Sequence, residues 1–124
     1  MSQAKPAMPA TPVRVKRLDG FFARLRGLLG RPAPDPGAAV WLIPCRQVHS
    51  VGMRYAIDVV HLDAQGTILR IARLEPWRMS RYVVASLSIL ELAAGEANRL
   101  GLEVGMTPCL IEVPTRASRD GSSS

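Results

Sequence analysis

The chain has 124 residues, of which 48% are hydrophobic and 21% are charged, so it can bury one core and is neither a disordered nor a collagen-like chain. It contains no apolar run of the roughly 18–20 residues that cross a bilayer, and we expect a soluble cytoplasmic protein without a transmembrane segment. The net charge of +6 suits an anionic partner, although genome base composition alone can produce the same excess of arginine.

The predicted organisation is one domain between two unstructured ends. Residues 1–12 contain three prolines and show no periodicity, which is typical of a flexible leader. A single domain is predicted over residues 13–114 and a disordered tail over residues 115–124. Apolar residues recur at helical spacing from Asp19 to Leu29, so we predict a short amphipathic helix at the start of the domain.

From residue 38 onward the pattern favours strands. Two apolar runs flank Asp63-Ala64-Gln65-Gly66, which predicts a β-hairpin because Gly66 suits the left-handed position of a short turn. Aromatic residues supply only 5% of the chain, so Trp41 and Trp77 are expected as the bulky members of an aliphatic core. Strands are predicted at 38–43, 56–62, 67–74, 86–92 and 106–113, with a short helix at 95–100. The fold class is therefore α+β and mainly β.

Three soft side chains share one segment. Cys45, His49 and Met53 are spaced by four positions, and such ligands suit copper(I) or zinc. The same residue types are common in cores, so these residues are only weak metal candidates and we assign no metal and no cofactor. Cys45 and Cys109 form no CxxC motif, and two free, mostly buried thiols are expected in a reducing compartment.

The string Cys45–Met53, C-R-Q-V-H-S-V-G-M, is followed by Ala56–Val60 and the Asp63–Gly66 turn. This ordered set resembles the core motif of the family known as domain of unknown function 192 (DUF192). One departure is Ser50, where the family often has Thr or a bulkier residue. The resemblance implies a compact β-barrel-like or jelly-roll-like domain with short helices at its edges, and no established biochemical activity. Further matches are the segments 24–28, 76–78 and 89–95, together with Gly101 and Gly105.

Polar residues gather around the strong apolar strand that begins near Ala56. Asp58 lies between apolar neighbours, where an ionised carboxylate needs a partner such as His49, Arg54 or a backbone turn. A His–Asp pair could position a general base, whereas a structural Asp that braces a loop is the more common arrangement. Alternation along the strand places His61 on the opposite face from Asp58, which makes it the poorer partner.

Five residues are the candidate ligand-binding set. Glu91 interrupts an apolar run, so it either joins Asp58 in a polar cluster or faces solvent. We expect Asp58 to act as a brace and His49 to form a pocket wall beside Trp77, and we assign no catalytic residue. The candidates are His49, Met53, Asp58, Trp77 and Glu91.

Three functions remain open from the sequence. The leading one is a ligand- or partner-binding accessory domain, and the alternatives are a hydrolase-like enzyme using a His/Asp pair and a basic nucleic-acid-binding protein. Whether the chain is an enzyme stays undecided, because it contains no GxSxG, Walker, GxGxxG or HExxH motif. The basic arm suits an anionic membrane or a phosphate backbone, while its apolar residues equally suit a helix that closes a small barrel. Its basic residues are Arg14, Lys16, Arg17, Arg24, Arg26 and Arg31.

Overall fold

One mixed sheet organises the chain. A computed structural model describes residues 12–18, 34–50 and 53–113, and the described residues form six strands and one short helix. The strand order across the sheet is β4-β3-β5-β2-β1-β6. The elements are β1 (Pro12–Leu18), β2 (Ala38–Leu42), β3 (Ile57–Leu62), β4 (Ile68–Leu74), β5 (Ser88–Ala93), α1 (Glu96–Arg99) and β6 (Cys109–Glu112).

The predicted hairpin is confirmed as the antiparallel pair β3–β4. Asp63 Oδ1 closes the turn by accepting hydrogen bonds from the backbone N–H groups of Gln65 and Thr67, each at 2.9 Å. Gly66 has a φ of 84°, a left-handed conformation that costs a residue without a Cβ little. The turn residues therefore set the register of two strands that are rich in Ile, Leu and Val.

The sheet is open, but the segment that leads into the edge strand β6 also forms hydrogen bonds with the opposite edge strand β4. Ile68, at the start of edge strand β4, donates a hydrogen bond to the carbonyl of Met106 and accepts one from the N–H of Gly105, each at 2.8 Å. A few residues further on, β6 pairs in parallel with β1 on the other side of the sheet. Residues 105–112 thus link the two edges of the open sheet, and this is the form that the expected barrel-like arrangement takes.

Both faces of the sheet are covered by packed side chains. The first face carries α1 and the segment that follows it, whereas the second face packs against Cys45, Val48, Met53 and Tyr55. The first cluster contains Val13, Val15, Ala39, Val60, Leu62, Ile68, Leu90, Leu92, Ala97, Leu100 and Leu102. The second contains Val40, Leu42, Val48, Met53, Ile57, Val59, Leu74 and Ile89.

The mainly β class is confirmed, and the short helix predicted near residue 95 is confirmed as α1. Strand β1 was not predicted, although Val13 and Val15 alternate with Arg14 and Lys16 as a half-buried strand requires. The predicted helix Asp19–Leu29 lies outside the described residues. So do the rest of the leader before Pro12 and the tail.

Two expectations about burial were wrong. Trp77 is 67% exposed rather than a core residue, whereas Trp41 packs against the first cluster. Both cysteines are free, as expected, but Cys109 is exposed and only Cys45 is half-buried. No helix among the described residues is long and apolar enough to span a membrane.

Candidate functional site

Asp58 braces the sheet against α1. Its Oδ2 atom accepts hydrogen bonds from the backbone N–H groups of Gly95 at 3.0 Å and Ala97 at 2.9 Å. These amides lie at the N-terminus of α1, where Gly95 offers no capping side chain. Asp58 is buried, and it therefore performs the work of an N-cap from a strand that is distant in sequence.

Asp58 and Glu91 point to opposite faces of the sheet. In the β3–β5 pair, Asp58 faces Leu92 while Glu91 faces Val59, and residues paired across strands share a face. Glu91 is buried. Neither expectation for Glu91 was right, because it neither joins Asp58 nor faces solvent.

His49 lies in the covering layer of the second face. The neighbouring residues Val48 and Met53 pack into the second cluster, and His49 itself is half-buried and forms an isolated antiparallel bridge with Met79. Asp58 points to the first face. The sheet therefore separates the carboxylate of Asp58 from the segment that carries His49, and the structure does not bring these two residues together as a pair.

His61 is the most deeply buried ionisable residue of β3. Neither ring nitrogen has a hydrogen-bond partner among the described residues. Burial lowers the pKa of His61, and the charge of Arg70 lowers it further. The backbone carbonyls of Arg46 and Arg81 partly offset this shift, although neither lies in hydrogen-bond geometry. The imidazole is therefore neutral at physiological pH.

The thiol of Cys45 is also kept neutral. Burial raises its pKa, a backbone hydrogen bond of Gln47 lowers it in part, and the charge of Glu91 raises it further. As a thiol, Sγ donates a hydrogen bond to the carbonyl of Gln47 at 3.3 Å, which favours the protonated form. A protonated thiol is a poor nucleophile and a poor metal ligand. Of the other weak metal candidates, Met53 is buried in the second cluster. Across residues 12–18, 34–50 and 53–113, no three His, Cys, Asp or Glu side chains are grouped to hold a metal ion.

The connection from β4 to β5, residues 75–87, is held in place by the segment 45–50, and we call it the apolar loop. Ser50 Oγ donates to the carbonyl of Glu75 at 2.6 Å and accepts from the N–H of Arg78 at 2.9 Å. The Nε2 group of Gln47 donates to the carbonyl of Ser80 at 2.9 Å. These bonds fix the backbone of the loop along its inner side.

The apolar loop buries small polar side chains and exposes large apolar ones. Ser80 and Ser86 are buried, and Ser86 Oγ bonds the carbonyls of Cys45 at 2.9 Å and Ser88 at 3.0 Å. Five of its large apolar side chains are between 37% and 76% exposed, whereas Val83 is half-buried. Large apolar side chains are usually buried and small polar ones exposed, so the apolar loop reverses the usual distribution. Exposed apolar groups of this kind mark interaction surfaces. The exposed residues are Trp77, Met79, Tyr82, Val84 and Leu87.

Arginines accompany these apolar side chains. Arg78 and Arg81 belong to the apolar loop and are exposed, as is Arg46, whose Nε donates to the carbonyl of Val84 at 2.9 Å. Trp77 has a φ of 63°, a conformation that is rare for a bulky L-residue. Such strain is found where a surrounding structure holds a side chain in a particular place.

A separate cavity of about 370 Å³ opens on the first face, between the hairpin turn and the start of β6. The indole of Trp41 forms part of its wall, and the Nε1 atom of that ring has no hydrogen-bond partner among the described residues. Asp63 also lines the cavity, but its Oδ1 is already engaged by the turn amides. None of the five candidate residues from the sequence lines this cavity.

Two basic residues of the arm, Arg14 and Arg17, contact other parts of the chain. Arg14 donates to the carbonyl of Pro36 at 3.0 Å. The guanidinium of Arg17 lies 5.4 Å from the centre of the Trp41 ring and 3.8 Å from a carboxylate oxygen of Glu112. Arg24, Arg26 and Arg31 lie outside the described residues.

Sequence reasoning identified Trp77 but missed the loop around it. The sequence predicts no element over residues 79–85, because their apolar positions follow neither a strand period nor a helix period. Ser50 was noted only as a departure from a family motif. A useful signal is the mixture of arginine, aromatic and aliphatic residues between Trp77 and Val84, in a connection that fits no strand or helix period.

Known proteins match this chain over most of its described part. The family model DUF192, described as uncharacterized ACR, matches residues 3–108. A UPF0127 protein of Thermococcus sibiricus is 32% identical in an alignment that covers 74% of this chain and 62% of that protein. The chain thus spans less than two thirds of the length of this relative.

Two crystal structures share the fold. A protein of unknown function from Novosphingobium aromaticivorans superposes with a TM-score of 0.63 at 17% identity, covering 73% of this chain and 70% of the other. A protein from Sinorhizobium meliloti, described as a candidate transcription regulator, gives a TM-score of 0.60 at 24% identity, covering 73% and 76%. At these identities the two similarities support the fold alone.

Proposed function

This chain belongs to the DUF192 family of uncharacterised proteins, and we propose that it is an accessory domain that binds a partner through its apolar loop. The observation that carries the proposal is the exposure of five large apolar side chains within residues 77–87. A connection that only had to join β4 to β5 would gain nothing from exposing Trp77 and Val84 while burying Ser80 and Ser86. An interaction surface explains this arrangement.

The polar residues support binding rather than catalysis. Oδ2 of Asp58 accepts hydrogen bonds from two backbone amides, and the hydroxyl of Ser50 bonds the backbone of the apolar loop. A hydrolase-like His/Asp site needs an imidazole within hydrogen-bond reach of both its carboxylate and an open pocket. The position of Asp58 on the opposite side of the sheet from His49 argues against that alternative.

Tryptophan fluorescence tests this proposal. Because the chain has two tryptophans, Trp41→Phe leaves Trp77 as the sole reporter, inside the apolar loop. The protein is titrated with lipid vesicles, with a single-stranded oligonucleotide, and with itself over a range of concentrations. At least one titration should give a saturable blue shift, and Val84→Asp should remove it. If none of the three shifts the emission of Trp77, the proposed function is wrong.

Val104→Asp provides the matched control. Val104 is an exposed valine in the segment after α1, outside the apolar loop. The substitution adds the same charge to the same residue type at another place. It should leave the titration unchanged, and an equal loss in both variants would mean that charge alone, rather than the loop surface, determines the response.

A second candidate is the binding of a small apolar ligand in the cavity beside Trp41. The unpartnered indole N–H in a mostly apolar wall favours it, since ligand sites combine apolar linings with a few polar groups. A thermal-shift screen tests it, because a ligand at about 100 times its dissociation constant adds roughly 2.7 kcal/mol to stability. Leu110→Trp, which fills the cavity, should abolish the shift.

A further inference from the structure

We propose that the partner of the apolar loop is an anionic lipid bilayer, on which the loop docks peripherally. This inference rests on the proposed function, because it takes the loop as the binding surface. It specifies three contacts that differ in chemistry. The aromatic rings meet the headgroup region, the aliphatic side chains enter the upper acyl region, and the arginines meet lipid phosphates.

The apolar side chains match the layers of a bilayer surface. Trp77 and Tyr82 are exposed, and these two residue types are enriched at membrane–water interfaces because each combines an apolar ring with a polar group. Met79 and Val84 are exposed as well, and hydrocarbon is the environment that stabilises such side chains. Membrane binding strength grows with the apolar area that is buried.

The charges around the loop are complementary to an anionic surface. Arg46, Arg78 and Arg81 are exposed, whereas Glu75 is the one acidic residue between 75 and 87. The whole chain carries a net charge of +6. Basic residues close to an anionic leaflet strengthen binding, and their contribution falls within about a Debye length, roughly 8 Å at physiological salt.

The backbone of the loop is already in place for docking. Ser80 N–H donates to the carbonyl of Val48 at 2.8 Å, and Val83 N–H donates to the carbonyl of Arg46 at 3.1 Å. Together with the hydrogen bonds of Ser50, these contacts anchor the inner side of the apolar loop. Its exposed side chains therefore project from the outer side. Little conformational entropy is then lost when the loop binds.

A nucleic acid is the nearest competing partner, and the aliphatic residues argue against it. Bases stack on aromatic rings and phosphates attract arginine, so Trp77, Tyr82, Arg78 and Arg81 suit a single strand. Met79 and Val84 do not. Val84 is the most exposed large apolar residue of the described chain, and an aliphatic group gains most from contact with hydrocarbon.

Vesicle co-sedimentation tests the inference. The full chain is mixed with vesicles of phosphatidylcholine alone or of phosphatidylcholine with phosphatidylglycerol, at low and high salt. Binding should require phosphatidylglycerol and weaken as salt rises. Val84→Asp should lower the partition coefficient about tenfold, because a charged side chain replaces one that buries in hydrocarbon. Met79→Asp is a second variant with the same expected direction.

Two controls separate the loop from general charge. Val104→Asp should bind as the unsubstituted chain does. Arg81→Glu and Arg73→Glu change the net charge equally, but only Arg81 lies in the apolar loop, so only Arg81→Glu should weaken binding. The melting temperature of each variant is measured alongside, so that a loss of binding is compared only among folded proteins.

Each other result overturns the inference in a distinguishable way. Equal binding to both vesicle types would show that anionic lipid is not required. Vesicle binding that the loop variants leave unchanged would show that another part of the chain contacts the lipid. If vesicles do not shift the emission of Trp77 but the oligonucleotide or self-association does, the lipid assignment is wrong. The apolar loop is then still a binding surface, for a different partner. If all three fail, the proposed function fails with it.

Discussion

The buried hydroxyl of Ser50 holds the backbone of Glu75, its Oγ donating to the carbonyl oxygen of that residue at 2.6 Å. The same oxygen accepts from the N–H of Arg78 at 2.9 Å. One small side chain thereby fixes both ends of the turn that presents Trp77. The shape of the apolar loop depends on a residue in a different part of the chain.

Ser50→Ala should therefore destabilise the protein by about 0.5–1.5 kcal/mol, because it removes the part-buried hydrogen bonds that Oγ makes with the carbonyl of Glu75 and the N–H of Arg78. Denaturant unfolding measures the change. Ser50→Thr keeps the hydroxyl and serves as the control. If Ser50→Ala unfolds at the same denaturant concentration as the unsubstituted chain, the hydroxyl does not support the loop.

Asp58→Ala should cost about 1–3 kcal/mol of stability, since the amides of Gly95 and Ala97 lose their buried acceptor. His49→Ala should cost less, because His49 is only half-buried and lies in a covering segment. Thermal unfolding of the two variants makes the comparison. Equal losses would mean that His49 is as much a part of the framework as Asp58.

The stability of the protein should fall as the pH is lowered through the titration of His61. The pKa of His61 is lowered from 6.5 by burial, so below about pH 6.5 the unfolded chain binds a proton that the native state does not. The free energy of unfolding then decreases with falling pH until the lowered pKa is reached.

His61→Leu tests that titration with a residue of similar volume. The variant should lose less stability than the unsubstituted chain between pH 7 and pH 5 in denaturant unfolding. At pH 7.5 it should be at least as stable, because both ring nitrogens lack hydrogen-bond partners in the described part of the chain. Parallel stability curves for the two proteins would contradict the assignment.

Trp77→Gly should be more stable than Trp77→Ala by about 1 kcal/mol. The φ of 63° at this position is costly for any residue with a Cβ, and glycine avoids that cost. Urea unfolding of the two variants gives the difference. Both lack the indole, so both should lose binding equally if the loop acts through its side chain. A more stable alanine variant would show that the turn relaxes to negative φ.

The local pattern of the sequence determined the class of the fold. The Asp63–Gly66 turn between two apolar runs indicated the β3–β4 hairpin, because turn residues and strand periodicity are local properties. The runs that became β2, β5 and β6 were located within a few residues. The exception was β1, in which only Val13 and Val15 are fully buried, so its alternation is short.

Only the tertiary structure decided where the polar residues of those elements act. Asp58 was recognised as a residue in need of a partner, but the partner is the backbone at Gly95 and Ala97, brought near by the pairing of β3 with β5. Trp77 was expected in the core because burial is inferred from residue type. Its exposure follows from Ser50 and Ser80, whose hydrogen bonds turn the loop outward, and hydrogen bonds between distant segments leave no periodic pattern in a sequence.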